Sequence, residues 1–249
     1  MYKLKCTIKY DGSGFHGYQR QPNLRTIQGE IEKALVYISR GQFIETHCSG
    51  RTDGGVHAVG QVFHFETDLQ IPVKQWKFIF NNALPDDIYL SQVEQVANDF
   101  HARYLATGKE YRYYILNEAS PDIFKRNYVY QYAKELNREA MREACTYFIG
   151  EHDFTTFSSA KSTVKGSKIR TLKKLTFIEE GNQIELQFKG DGFLYHMVRI
   201  IAGVILDIGR GKYKPEDIPD LFKQKNRSAV GRTLDASGLY LWQVDYPNY

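Results

Sequence analysis

The first hundred residues switch between a two-residue apolar period and a helical one. Four segments carry the two-residue period or the β-branched and aromatic composition of strands: residues 3–10, 43–49, 59–67 and 88–96. Apolar residues at helical spacing predict one helix after Thr26 and a second after Pro72. The predicted order β-α-β-β-α-β is that of a ferredoxin-like unit, with one antiparallel sheet and both helices on one face.

The second half of the chain repeats this order in outline. Strands are predicted at residues 101–117, 169–179, 183–193 and 238–246, and helices at residues 137–149 and 195–208. We therefore predict an α+β fold with two ferredoxin-like or RRM-like halves, residues 1–100 and 101–249. Their antiparallel sheets are expected to join around a central active-site cleft, with the helices on the outer face, because clefts between domains are favoured binding places.

Composition narrows the class of protein. The three cysteines lack CxxC spacing, which indicates reduced thiols in a cytoplasmic protein. The first residues lack the apolar core of a signal peptide, and no apolar run reaches the length of a membrane span. We expect a soluble cytoplasmic protein that does not bind a membrane. A net charge of +4 favours a polyanionic partner.

The segment between the second and third predicted strands holds the first candidate for chemistry. Its sequence GRTDGG, residues 50–55, places three glycines around Arg51 and Asp53, and glycine lets backbone approach a ligand closely. The guanidinium two residues away favours the ionised form of Asp53, which suits a nucleophile or a base. Taken alone, an Asp-Gly pair is more often a turn whose aspartate bonds to nearby backbone.

Tyrosines and basic residues alternate in the segment KEYRYY, residues 109–114. In a strand, Tyr111 and Tyr113 would share one face, and Arg112 and Tyr114 the other. Most strand tyrosines are packing residues, but an exposed phenol ring can also stack on a nucleobase.

Two basic clusters are candidates for phosphate contact, although such runs are often only solvated surface. The first lies in residues 161–174, which contain six basic residues and no acidic one, and the second surrounds Gly211. The candidate RNA contacts are Lys161, Lys165, Lys168, Arg170, Arg210 and Lys212.

The predicted helix at residues 195–208 is apolar nearly all round, which indicates that it is buried. Arg199 is its only formal charge before Asp207. A buried arginine requires a carboxylate or a phosphate as its partner. The alternative is that the Arg199 side chain extends to the surface along its aliphatic stem.

Several signatures of other enzyme classes are absent from the sequence. It contains no P-loop, no GxGxxG, no GxSxG and no HExxH. His47, His57 and His64 near the glycine-rich loop are the best candidates for metal ligands, but histidines at such positions are more often simply hydrogen-bonded. We therefore expect no metal, no nucleotide and no other cofactor.

Four motifs together resemble those of the tRNA pseudouridine synthase A family, and they occur in the family's order. They are YDGSGFHGYQ from Tyr10, GRTDGGVHAVGQVFHF, KEYRYY and GFLYHMVR. Tyr18 stands where the family more often has tryptophan, and Gly54 stands where it more often has alanine, a departure that would loosen the loop. The resemblance extends over nearly the whole chain.

This resemblance implies a function and roles for four residues. It implies that a homodimer converts uridine to pseudouridine in the anticodon stem-loop of tRNA, at positions 38, 39 and 40. Asp53 would be the catalytic residue and Tyr111 would stack on the target base. Arg51 would help to displace that base, and Arg199 would pair with Asp53.

This chemistry needs only one carboxylate, whereas ordinary glycoside hydrolysis uses two. Uracil can leave as an anion and stays bound, so neither a general acid nor an activated water is required. The sequence leaves open whether Asp53 attacks C1′ or removes a proton from C2′ to give a glycal. It also leaves two other functions open: a non-catalytic RNA-binding module with RRM-like halves, and a hydrolase that releases free uracil.

Overall fold

The computed structural model describes residues 1–160 and 166–247. In chain order the elements are β1 (Tyr2–Tyr10), α1 (Ile27–Ile38), β2 (His47–Cys48), β3 (His57–Thr67), α2 (Val73–Ala83), β4 (Ile88–Val96), β5 (Gly108–Leu116), β6 (Tyr130–Gln131), α3 (Arg138–Thr146), β7 (Gly150–Asp153), β8 (Ile169–Glu180), β9 (Gln183–Gly190), α4 (Met197–Gly209), α5 (Ile218–Gln224) and β10 (Leu239–Asp245). The predicted α+β class is confirmed. Across these two ranges, no helix is long and apolar enough to cross a membrane.

The chain divides into two compact units. The first contains Met1–Thr107 together with the residues from Tyr240 onward, and the second contains Gly108–Leu239. In the first unit β1 lies between β3 and β4, and β2 pairs with β3, all antiparallel. This is the strand order of a ferredoxin-like unit. Strand β10 adds to it by pairing in parallel with β3.

The core of the first unit explains why these residues form these elements. The side chains of Leu4, Cys6 and Ile8 on β1 are fully buried, as the two-residue period requires for one face of a strand. Helix α1 begins where Thr26 Oγ1 accepts a hydrogen bond from Gly29 N at 3.2 Å. This is the N-cap that the sequence predicts.

The second unit is also built on antiparallel strands. Its strands run β5-β9-β8-β7, so that β9 lies between β5 and β8, and β6 pairs with β5 in parallel. Strands β8 and β9 form the predicted hairpin, which turns at Gly181 with φ +57°. Helix α4 contacts α3 and β5, and every residue of α4 except Arg199 is buried. The prediction of a buried apolar helix is confirmed.

Two predicted strands are much shorter in the structure. Only His47–Cys48 of residues 43–49 is a strand, because Thr46 N and Oγ1 point to the Glu32 carboxylate instead of a neighbouring strand. Residues 101–107 form turns: the ring of His101 accepts hydrogen bonds from two following backbone N–H groups, and Leu105 N donates to His101 O. Local side-chain bonds of this kind compete with strand pairing.

The helix predicted at residues 137–149 ends earlier than expected, at Thr146. Gly150 has φ +113° and begins strand β7. The short elements β6, β7 and α5 have no counterpart in the sequence-based prediction.

Candidate active site

Asp53 lies in the loop between β2 and β3, which rests on the glycine-rich loop that follows β1. Tyr18 N donates to Thr52 O at 3.0 Å, and Gly55 N donates to Phe15 O at 3.2 Å. Val56 N donates to Asp53 O at 3.2 Å, which closes a turn around the aspartate. Asp53 is half-buried and Arg51, in the same loop, is exposed. The backbone on both sides of Asp53 is therefore fixed while its side chain remains accessible.

Two glycines of the first motif are required for this contact between loops. A Cβ atom on Gly12 would lie 2.0 Å from Val56 O, and one on Gly17 would lie 3.0 Å from Thr52 O. Gly17 also has φ +97°, a backbone conformation that residues with a side chain rarely adopt. At Gly54 a Cβ atom would meet Phe15 O at 3.5 Å, an ordinary contact. Alanine, the commoner residue in the family motif, therefore fits at position 54.

Two buried polar side chains, Gln61 on β3 and Tyr10 on β1, lie beneath the loop and form its floor. Gln61 Nε2 donates to Gly50 O at 2.8 Å, and Gln61 Oε1 accepts from Ser49 Oγ at 2.7 Å. The Tyr10 hydroxyl lies 2.7 Å from Thr52 Oγ1 and 3.4 Å from Gln61 Nε2. All four of these side chains are buried, and burial raises the pKa of the Tyr10 phenol well above its usual range. Hydrogen bonds from this floor therefore reach three of the four residues that precede Asp53.

The three histidines considered as metal ligands, His47, His57 and His64, occupy two separate places. The Nδ1 atom of His57 accepts a hydrogen bond from Gly12 N at 3.1 Å, and its ring stacks on Tyr240 at 4.6 Å. His47, His64 and His101 form a cluster with ring centroids 4.8 to 5.8 Å apart. Burial, and then the two neighbouring histidines, lowers the pKa of His64 to about 3. In residues 1–160 and 166–247, no group of three or more His, Cys, Asp or Glu side chains is arranged to hold a metal ion.

Tyr111 lies on β5 in the second unit. Its ring is buried and meets the ring of Phe193 edge-on at 5.1 Å. Tyr113 shares this face and its hydroxyl donates to Asp235 O at 2.8 Å, whereas Arg112 lies on the opposite face between two glutamates. The predicted alternation along β5 is confirmed.

Arg199 lies in the first turn of α4 and is half-buried. Its Nε donates to Leu234 O at 2.7 Å, and Leu234 N donates to Arg199 O at 3.3 Å. These bonds fix the base of the guanidinium within the second unit. The predicted pairing of Arg199 with Asp53 stays a prediction.

The six candidate RNA contacts fall into three groups. Lys161 and Lys165 lie outside the described residues. Lys168 and Arg170 are half-buried, and Arg170 Nη1 donates to Ser167 O at 3.1 Å and to Ile169 O at 2.5 Å. The third group, at the end of α4, has a structural role that the sequence did not indicate.

Arg210 and Lys212 flank the buried carboxylate of Asp207, at 3.1 Å and 3.0 Å. The hydrogen bond to Asp207 raises the pKa of Lys212. Because a buried carboxylate needs a compensating charge, these two cations stabilise the end of α4 whether or not they also contact RNA.

Sequence reasoning missed the residues beneath the loop. The available signal was Gln61, a lone amide on a strand face otherwise formed by Val59, Phe63 and Phe65. A polar residue that alternates with apolar ones must find buried partners. Those partners turn out to lie in the loop that carries Asp53.

Comparison with known proteins identifies the family to which this chain belongs. The family described as tRNA pseudouridine synthase matches it over residues 7–105 and 144–247. The chain belongs to the tRNA pseudouridine synthase family. Within this family it is similar to the tRNA pseudouridine synthase A of Oceanobacillus iheyensis, with 53% identity over 99% of this chain and 97% of that protein. It is also similar to the tRNA pseudouridine synthase A of Bacillus subtilis, with 49% identity over 99% of this chain and all of that protein.

The family match covers the candidate site unequally. Asp53, Arg51 and Arg199 lie within the two matched ranges, whereas Tyr111 falls between them. The whole-chain relatives extend across that segment.

Proposed function

We propose that this chain converts uridine to pseudouridine in the anticodon stem-loop of tRNA, with Asp53 as the catalytic residue. The chain is an isomerase of the tRNA pseudouridine synthase family. The observation that supports Asp53 is its loop, which holds one half-buried carboxylate between glycines on a braced backbone. We further propose that the protein is cytoplasmic and acts as a homodimer.

The reaction exchanges one bond to the ribose for another. The bond from C1′ to N1 breaks, the uracil turns, and C5 bonds to C1′ with loss of the C5 proton to N1 or solvent. Asp53 starts this sequence either by attacking C1′ or by removing a proton from C2′. On the first route C5 displaces the carboxylate from C1′, and on the second the carboxylic acid returns the proton to C2′ as C5 bonds to C1′. Both routes require the ionised carboxylate, and neither requires a general acid because the departing uracil is an anion.

Each of the other three residues has a proposed part in binding the target nucleotide. An enzyme that modifies a base within a stem must take it out of the stack. Tyr111 stacks on the displaced base, a contact that contributes about 1 to 3 kcal/mol, and Phe193 keeps the Tyr111 ring in place. The exposed Arg51 helps to displace the base, and Arg199 pairs with the Asp53 carboxylate and orients it.

Asp53→Asn tests the assignment because it keeps the size of the side chain and removes its charge. Purified protein is incubated with a tRNA transcript without metal or nucleotide, and the digested RNA is separated by chromatography. Pseudouridine should fall below detection for Asp53→Asn while tRNA still binds, because loss of the nucleophile removes many kcal/mol of transition-state stabilisation. Asp86→Asn, a change at an exposed carboxylate of the same unit, is the matched control and should keep full activity.

The same chromatogram separates the alternative functions. Free uracil would identify a hydrolase, and unchanged uridine in RNA bound by the wild-type protein would identify a non-catalytic binding module. Residual activity of Asp53→Asn within tenfold of wild type would remove Asp53 from the catalytic role.

A further inference from the structure

We propose that the hydrogen bond between Tyr10 and Thr52, supported by Gln61, is a positioning device that holds the loop backbone from which the Asp53 carboxylate extends. Tyr10 and Gln61 are positioning residues in this proposal, since neither is expected to touch the substrate. The proposal rests on the proposed catalytic role of Asp53. It goes beyond that role because it identifies the side chains that set the geometry of the loop.

The orientation of the Gln61 amide determines the direction of the other bonds. Gly50 O can only accept a hydrogen bond, so the amide nitrogen of Gln61 must face it. The same nitrogen lies 3.4 Å from the Tyr10 hydroxyl oxygen and donates to it. The phenol O–H is then free to donate to Thr52 Oγ1 at 2.7 Å. The chain of donors thus runs from strand β3 through β1 to the residue that precedes Asp53.

These bonds restrain the backbone that leads to Asp53 at several points. Gly50 O and Thr52 Oγ1 are held from beneath by the amide and the phenol, and Thr52 O accepts from Tyr18 N at 3.0 Å on another side. Asp53 O accepts from Val56 N and so fixes the backbone after it. The backbone on both sides of Asp53 is therefore held in place, which fixes the point from which its carboxylate extends.

The floor is unusual for its surroundings. Gln61 lies fully buried on a strand whose neighbours Phe63 and Phe65 belong to the apolar core. Apolar side chains of similar volume often stabilise a core as well as a fully bonded polar network does, whereas a partly bonded network is costly. A polar floor in which each member has a partner is therefore suited to fixing geometry. Catalytic groups need this, because a misplacement of 1 Å can reduce a rate by about 100-fold.

The test removes the Tyr10–Thr52 bond from each side in turn. Tyr10→Phe and Thr52→Val each delete one hydroxyl and keep most of the side-chain shape. We expect each to lower the single-turnover rate of pseudouridine formation at saturating tRNA by about 10- to 100-fold. The dissociation constant for tRNA should change less than twofold. Because both variants lose the same bond, the double variant should be as slow as the slower single variant.

Two further variants separate positioning from general stability. Thr52→Ser retains the hydroxyl and should recover the rate to within about threefold of wild type. Tyr2→Phe is the matched control, because Tyr2 lies on the same strand β1 and its hydroxyl also donates a hydrogen bond, to Leu69 O at 2.8 Å. Tyr2→Phe should lower the melting temperature about as much as Tyr10→Phe does and leave the rate unchanged.

Three results would overturn the proposal: unchanged rates for both single variants, multiplicative effects in the double variant, or equal slowing by Tyr2→Phe. If Tyr10→Phe does not fold, the comparison of Thr52→Val with Thr52→Ser still decides, and if Thr52→Val does not fold, the comparison of Tyr10→Phe with Tyr2→Phe does. Failure of the proposed function is distinguishable, because it would appear as an active Asp53→Asn variant or an inactive wild-type protein.

Discussion

Tyr18→Phe should stabilise this protein. The Tyr18 side chain is 1% exposed, and its hydroxyl is the one buried side-chain oxygen or nitrogen in residues 1–160 and 166–247 that lacks a hydrogen-bond partner. The ring itself is well placed, with the Tyr10 ring centroid at 6.5 Å. Phenylalanine keeps the ring and removes only the hydroxyl that lacks a hydrogen-bond partner.

The magnitude follows from the cost of burying an unpaired polar group. Such a group costs about 1 to 3 kcal/mol, and the small void left by the hydroxyl returns part of that. We therefore expect Tyr18→Phe to raise the free energy of unfolding by about 1 to 2 kcal/mol. Tyr246→Phe is the opposite case, because the Tyr246 hydroxyl donates to Ala102 O at 2.6 Å. Its loss should destabilise the protein by roughly 1 kcal/mol.

The gain in the free energy of unfolding from Tyr18→Phe should increase in alkaline solution. Burial raises the pKa of Tyr18 well above 10.0, so above about pH 10 the unfolded chain loses this proton and the folded chain keeps it. The wild type then loses up to about 1.4 kcal/mol of stability per pH unit from this group. The Tyr18→Phe variant has no phenol at position 18 and does not lose this stability. Its gain in the free energy of unfolding over the wild type should therefore be constant below pH 9 and increase between pH 10 and pH 11.

Urea unfolding monitored by tryptophan fluorescence at pH 8 and pH 10.5 measures both effects. A destabilised Tyr18→Phe at pH 8 would mean that the hydroxyl makes a stabilising contact. An advantage that does not change with pH would refute the assignment of the raised pKa.

Two further predictions concern the glycines next to Asp53 and the basic residues Lys168 and Arg170 around the start of β8. Gly54→Ala should be neutral or stabilise by about 0.4 to 1 kcal/mol, because its Cβ atom has room and the unfolded chain loses freedom. Gly55→Ala should destabilise by about 1 to 2 kcal/mol, because Gly55 has φ +79°; similar melting temperatures of the two variants would contradict both expectations. Replacing Lys168 and Arg170 by glutamine should flatten the slope of log tRNA affinity against log salt by about 1.8 in filter binding if each neutralises a duplex phosphate. An unchanged slope would show that they do not contact phosphate.

Local signals account for the elements that the sequence predicted well. Thr26 caps α1 because its hydroxyl and the first apolar residue stand at the required spacing, and β8 and β9 turn at a glycine between alternating strands. Such features depend on neighbours within a few residues. The family resemblance of the Asp53 loop likewise rests on one contiguous motif.

Features that depend on distant partners could not be predicted from the same pattern. Residues 43–46 have a strand composition, but Thr46 bonds to Glu32 on another element. Similarly, nothing near Tyr10 in the sequence shows that its hydroxyl meets Thr52. Arg210 and Lys212 appeared as surface charge because the burial of Asp207 is a property of the folded unit.

The pairing of β10 with β3 has a consequence for folding during synthesis. A ribosome completes β3 early, but the strand that pairs with its first residues emerges only after the whole second unit has been made. Gly60 would clash with Trp242 O at 2.3 Å if it carried a Cβ atom, so the two strands fit closely once both exist. Long-range contacts of this kind form late. The nascent chain therefore displays Asp53 and Arg51 on a scaffold that still lacks one edge, and activity is expected to appear only after the last strand is released.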